Sequence, residues 1–257
     1  MIRARRIAGM VCACLVLALF AGCAQTGERG AEAIAESIDL AAVTAEREGD
    51  YVIAANHYRS LLERRPDDLE TILGLARNLR YAGRAKLAVE VLDAAQPKFA
   101  DQARFLFEHG KAKLAVGGTR EAIGYLNRAA KLNGQDWEIH AALGIAYDLG
   151  DSFDMAAKSY ETALRLSKDN PVVLNNMAIS AALAGKLDAA IRLLESAPAA
   201  ARHSPQIRQN LALFYGIKGD LAKAEQLARM DLDEASVRNN LAIFSRFRAA
   251  RDAAPRQ

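Results

Sequence analysis

Six alanines, Ala54, Ala88, Ala122, Ala156, Ala190 and Ala224, follow one another at intervals of 34 residues without a slip. A second small-residue series, Ala42, Ala76, Gly110, Gly144, Ala178 and Ala212, keeps the same interval. Glycines mark a third series at Gly49, Gly83, Gly117, Gly185 and Gly219, with Gly150 one position early in the fourth module. A fixed period of about 20–50 residues identifies modules that cannot bury an apolar face alone and therefore stack in a row. Six modules tile residues 35–238 with no insertion.

Each module reads as a helical hairpin. In the fourth, one helix is predicted from Trp137 to about Leu149 and a second from about Phe153 to Leu166, with Gly150-Asp151 as the turn. Glycine accepts the left-handed conformation that closes a helix. The small series marks the crossing of the two helices, where a bulkier side chain would hold the backbones apart. The last residue of five successive modules is Asp68, Gln102, Asp136, Asn170 or Ser204. All but Gln102 are good N-caps for the helix that follows. Pro171 and Pro205 then stand at the first helical position, where a missing N–H costs nothing. Pro97 and Pro198 fall late in second helices and are expected to end them early. A further helix is predicted over 233–248, with Val237, Leu241, Phe244 and Arg248 along one side and Ile243 and Phe247 close by. It would cap the last apolar face of the stack, leaving 249–257 as a flexible tail.

The fourth module, with Leu143, Gly144, Tyr147, Phe153, Ala156, Tyr160 and Ala163, resembles the tetratricopeptide-repeat (TPR) signature. That likeness implies an all-α, right-handed superhelix of six helix-turn-helix repeats plus a C-terminal capping helix, with the first helix of each repeat facing a peptide-binding groove. By the same likeness Arg77, Arg80, Tyr81, Arg104, Phe107 and Lys111 would make one end of the groove basic and aromatic. Ile145, Leu149, Asn175, Ile179, Leu183, Gln209, Leu213 and Ile217 would make the other apolar with amides. A segment with acidic groups at one end and hydrophobic anchors at the other would suit it. Solvated arginine pairs and apolar residues that cover one another are the plainer alternative.

The first residues are a targeting segment. Arg3, Arg5 and Arg6 precede an apolar run from Ile7 to Gly22, shorter than the ~20 residues that a membrane-spanning helix needs. Leu19-Phe20-Ala21-Gly22-Cys23 resembles a bacterial lipobox, with Phe20 where that family more often has Leu. The likeness implies a signal peptide over 1–22, lipidation of Cys23 and a tether over 23–34. Ala24 is compatible with an outer-membrane destination on the periplasmic face. Three of the 34 basic residues and none of the 31 acidic ones lie in 1–22, so the remainder holds 31 of each. A balanced chain lacks the basic excess that nucleic-acid binding requires. Cys12 and Cys14 fall in the signal, so stability after export rests on apolar burial without disulfides.

No catalytic machinery is expected. His57, His109, His140 and His203 fall in four different modules, and His109 reads as a packed side chain. No zinc-protease, phosphate-loop or nucleophile-elbow motif occurs. The chain reads as a non-enzyme without cofactor, metal or small-molecule substrate, whose partners are proteins and, through the lipid, a membrane.

A narrower resemblance rests on the C-terminal third. Leu174-Asn175-Asn176-Met177-Ala178, Arg208-Gln209-Asn210-Leu211-Ala212-Leu213, the run from Ala224 to Leu232, and Val237-Arg238-Asn239-Asn240-Leu241-Ala242 are similar to TadD-type lipoproteins of tight-adherence (Flp) pilus assembly. The likeness implies an outer-membrane lipoprotein that helps a secretin ring localise or assemble, in the manner of a pilotin. A periplasmic TPR lipoprotein that regulates cell-wall synthesis, or one that serves outer-membrane protein assembly, stays open beside it.

Overall fold

The structure, a computed structural model, describes residues 30–168 and 170–253, with backbone alone at 200 and 247–253. The lipobox with Cys23 and the end of the chain after Ala253 lie outside the described residues. Among the described residues every regular element is a helix. Contacts divide the chain into two compact bodies, one up to Lys98 and one from Phe99.

The first body holds α1 (30–48), α2 (Tyr51–Arg64), α3 (Leu69–Tyr81) and α4 (Ala85–Phe99). The second holds α5 (Ala103–Ala115), α6 (Thr119–Leu132), α7 (Trp137–Asp148), α8 (Phe153–Ser167), α9 (Pro171–Leu183), α10 (Leu187–Glu195), α11 (Ala199–Arg202), α12 (Pro205–Lys218), α13 (Leu221–Ala228) and α14 (Glu234–Ala253). In the first body α2 packs on α3; in the second α5 and α6, α7 and α8, α9 and α10, and α12 and α13 pair as hairpins, and α14 packs on the last of these.

The period acts through backbone geometry. The fifteenth residue of every repeat is left-handed: Gly49, Gly83, Gly117, Gly185 and Gly219, and in repeat four Asp151, at φ 54°. Gly150, the expected turn residue there, has no positive φ, because the turn keeps its place in the period and the glycine has slipped off it. The next N–H bonds five residues back in all six repeats: Asp50 to Ala45, Arg84 to Leu79, Gly118 to Lys113, Ser152 to Tyr147, Lys186 to Ala181 and Asp220 to Tyr215, at 2.8–3.0 Å. This is the Schellman closure of a helix end. Asp68, Asp136 and Asn170 accept N-capping bonds from Thr71, Glu138 and Val172. Ser204 makes no such bond.

The six alanines of the first series are each 0% exposed. Gly144 shows why the crossing admits so little: a Cβ there would stand 2.5 Å from the Tyr160 ring. At the end of the stack α14 sets Phe244 against Gly216, where any side chain would collide with the ring, and Val237 is fully buried.

Three boundaries differ from expectation. Helix α1 covers 30–34, assigned above to the tether, because Ala31, Glu32 and Ala33 are strong helix formers. Helix α14 runs on to Ala253 through another alanine-rich stretch. Pro97 does not stop α4, which continues to the buried Phe99. Three residues from a helix end it removes one intrahelical bond, and its fixed φ suits the helix. Pro198 does coincide with a shortened helix: α10 has 9 residues and α13 has 8, against 14 and 15 in α6 and α8.

Candidate partner-binding surface

The ninth and thirteenth residues of a repeat lie four apart on its first helix and so share a face. In repeat four they are Ile145 in α7 and Leu149 at its C-cap, 40% and 60% exposed; in α9 Leu183 is 60% exposed and Ile179 half-buried. In α12 Leu213 and Ile217 are 36% and 38% exposed. Helix α9 packs between α7 and α12, so these six residues form a continuous apolar stripe within the second body.

The two amides expected beside them lie elsewhere. Asn175 is buried, and its Oδ1 accepts a 2.5 Å bond from Nδ2 of Asn210. Gln209 is half-buried, its amide nitrogen shielded from solvent. The place of Asn175 in the repeat points inward to the next first helix, where Asn210 is its polar partner.

The basic residues do not stand as open charges. In the first body Arg77 forms a bidentate pair with Glu46, and the Arg80 guanidinium lies 4.4 Å over the Tyr81 ring, itself against Tyr51. In the second body Lys111 sits 4.1 Å over Phe107 and 2.7 Å from the buried Glu108, while Arg104 is exposed. The expected excess of positive charge is therefore compensated at Arg77 and Lys111, each by a carboxylate within reach.

Sequence reasoning missed a recurrent polar node. Glu46 accepts from the Tyr58 hydroxyl and from Arg77 of the next repeat. Asp148 accepts from the Tyr160 hydroxyl at 2.9 Å and from Ser180 of the next repeat at 2.6 Å. Each carboxylate ties its own hairpin to the following one, and the signal in the sequence is an acid 12 residues before a tyrosine. Burial pushes the Asp148 carboxyl up, and the hydroxyls of Ser180 and Tyr160 offset only part of that. Burial also acts on Glu46, but bonds from Arg77 and Asn78 outweigh it and hold the carboxyl below its usual range. Tyr58 is pushed up to about 12 by burial and by Glu46, and Tyr160 is raised further by burial and by Asp148.

His109 is buried, stacked on Tyr125 at 4.0 Å. Among the described residues no group of three His, Cys, Asp or Glu could hold a metal, and no helix is long and apolar enough to cross a membrane.

Helical hairpins closed by one recurrent turn, with an apolar stripe on their first helices, have the architecture of TPR proteins. A tetratricopeptide-repeat family model matches residues 45–106 and 150–214. Solved structures agree at the level of fold. A thermophilic TPR protein of Thermus thermophilus is 22% identical, with a TM-score of 0.62 over 70% of this chain and 98% of that one. PilF of Pseudomonas aeruginosa is 18% identical, with a TM-score of 0.58 over 88% and 95%. MamA of Desulfovibrio magneticus RS-1 is 16% identical, with a TM-score of 0.54 over 63% and 91%. No curated protein matches the chain.

Proposed function

We propose that this chain is a non-enzymatic scaffold that docks a partner segment on the stripe of Ile145, Leu149, Leu183, Leu213 and Ile217. TPR proteins are protein-interaction scaffolds. The observation that carries the finer reading is the repetition: three adjacent first helices expose large apolar side chains at the same two positions, save for the half-buried Ile179. Contiguous exposed apolar surface on a folded domain marks an interaction site. An amphipathic helix or extended segment with aliphatic anchors fits such a row.

We further propose that it works as an outer-membrane lipoprotein, anchored through Cys23, in assembly of a tight-adherence pilus secretin. Support comes from the lipobox and from the C-terminal motifs that resemble TadD-type lipoproteins. Two lipid chains or more on Cys23 would suffice for stable attachment, where a single one is marginal. The test is deletion of the gene alongside Cys23→Ala and Leu149→Ser/Leu183→Ser chains. The predicted result is a secretin that fails to reach or assemble in the outer membrane in all three. Normal secretin assembly in the deletion strain would end the pilus reading. Normal assembly with the Leu149→Ser/Leu183→Ser chain alone would end the stripe's role.

A further inference from the structure

Two successive second helices, α10 and α13, stop about a turn and a half short of α6 and α8. A full-length helix would lay its last turns over the start of the following first helix. Here α10 ends at Glu195, Pro198 redirects the chain, and the single turn of α11 restores only part of the cover through the buried Ala197 and Ala201. What is left open is a cavity of about 350 Å³. Its lining includes Leu194, Ile207 and Leu211, all buried, with Ala199, Leu227 and Met230 beside them. Met230 is 63% exposed, an unbranched apolar side chain of the kind that adapts to a bound surface.

The remaining lining residues are Arg202, His203 and Arg208, and no carboxylate lines the cavity. Arg208 is committed elsewhere. It pairs with Asp231 and donates to the His203 carbonyl at 2.7 Å, which fixes the turn between α11 and α12. Arg202 and His203 are exposed, and neither makes an ion pair among the described residues. The His203 ring has Nδ1 2.7 Å from the Ala199 carbonyl, an acceptor, so Nδ1 carries the proton and Nε2 is left for a second partner.

An apolar hole with the exposed Arg202 guanidinium at its lining calls for an apolar group attached to an anion. We propose that this cavity is a second docking site, which takes a bulky apolar side chain of a partner segment with a carboxylate next to it in sequence. The carboxylate sits against Arg202. A volume near the lower end of the range for ligand pockets suits one large side chain better than a cofactor. The site shares no residue with the apolar stripe. The proposal rests on the scaffold reading but not on the stripe itself.

The test uses the full chain in nanodiscs, with empty nanodiscs subtracted, and fluorescein-labelled peptides carrying Asp-Phe-Leu-Asp in a Gly/Ser context. Control peptides carry Lys for Asp, or Ala for Phe and Leu. The expected result is saturable binding of the first peptide and binding at least tenfold weaker for both controls. Arg202→Glu should weaken the Asp peptide at least tenfold and improve the Lys peptide. Ala199→Trp, which fills the cavity, should abolish binding at an unchanged melting temperature; Met230→Lys at the exposed lining serves if that variant misfolds. Leu149→Ser/Leu183→Ser should leave binding intact. Absence of binding, equal binding of the Lys peptide, or indifference to Arg202→Glu would overturn the site and leave the stripe standing. Loss in the stripe variant alone would move the peptide there and overturn this site equally.

Discussion

Glu46 and Asp148 occupy the same place in repeats one and four, yet they respond to pH in opposite senses. Glu46 has Arg77 beside it, so its folded carboxyl lies below the usual range. Its contribution to stability is present above the unfolded value, about 4.3, and is lost as pH falls through the folded one. Asp148 faces two hydroxyls and no cation in its node, and its folded carboxyl is raised by burial. Its favourable contribution is present below the unfolded value, about 3.9, and is lost as pH rises through the folded one. Glu46→Gln should therefore cost more stability at about pH 7 than at about pH 4, and Asp148→Asn the reverse. Denaturant midpoints at the two pH values check both, and equal costs at both pH values would contradict the assignment. Asp151 offers a second residue-scale prediction. A left-handed aspartate is tolerated but strained, so Asp151→Gly should raise stability by up to about 1 kcal/mol in thermal or urea melts. Ala156→Leu, at a crossing with no room, should cost about 1–3 kcal/mol in the same measurement.

At the scale of elements, the hairpins were legible because a close helix crossing and a left-handed turn each admit few residue types. The ladder of small residues and glycines records those two constraints directly. What the ladder does not record is how an element is finished. Pro97 and Pro198 look alike in the sequence, and only the first lies inside its helix. Asn175 looks like a groove amide, but its partner Asn210 is 35 residues on, and polarity alone cannot tell a buried pair from a wet surface. The motifs that resemble TadD-type lipoproteins include Asn175 and Asn210 as well as Arg208 and Asp231, which bind each other across α12 and the turn after α13. Those motif residues lock repeats five and six to each other and to the turn that leads into the cap. Asp231→Ala should accordingly speed amide exchange in α13 and α14 more than in α7 or α8. Phe244→Ala, which empties the socket over Gly216, should destabilise the cap by about 3–5 kcal/mol, seen as lost amide protection along α14.

At the scale of the molecule, repetition does two things at once. The same period that buries alanine at every crossing leaves the thirteenth residue of each repeat exposed and the ninth exposed or half-buried. In repeats four to six both positions are aliphatic, and all but Ile179 among them are exposed. Of the basic residues that the sequence placed at the other end, Arg77 and Lys111 are matched by Glu46 and Glu108, so the proposed docking rests on the aliphatic row. The most direct measurement is site-specific photocrosslinking in living cells, with the photoreactive residue at Leu183 on the stripe or at Arg165 on the exposed side of α8. The predicted result is one discrete protein adduct from position 183, lost when Leu149→Ser is added, and none from position 165. Equal adducts from both positions, or none from position 183, would contradict a scaffold that works through this stripe.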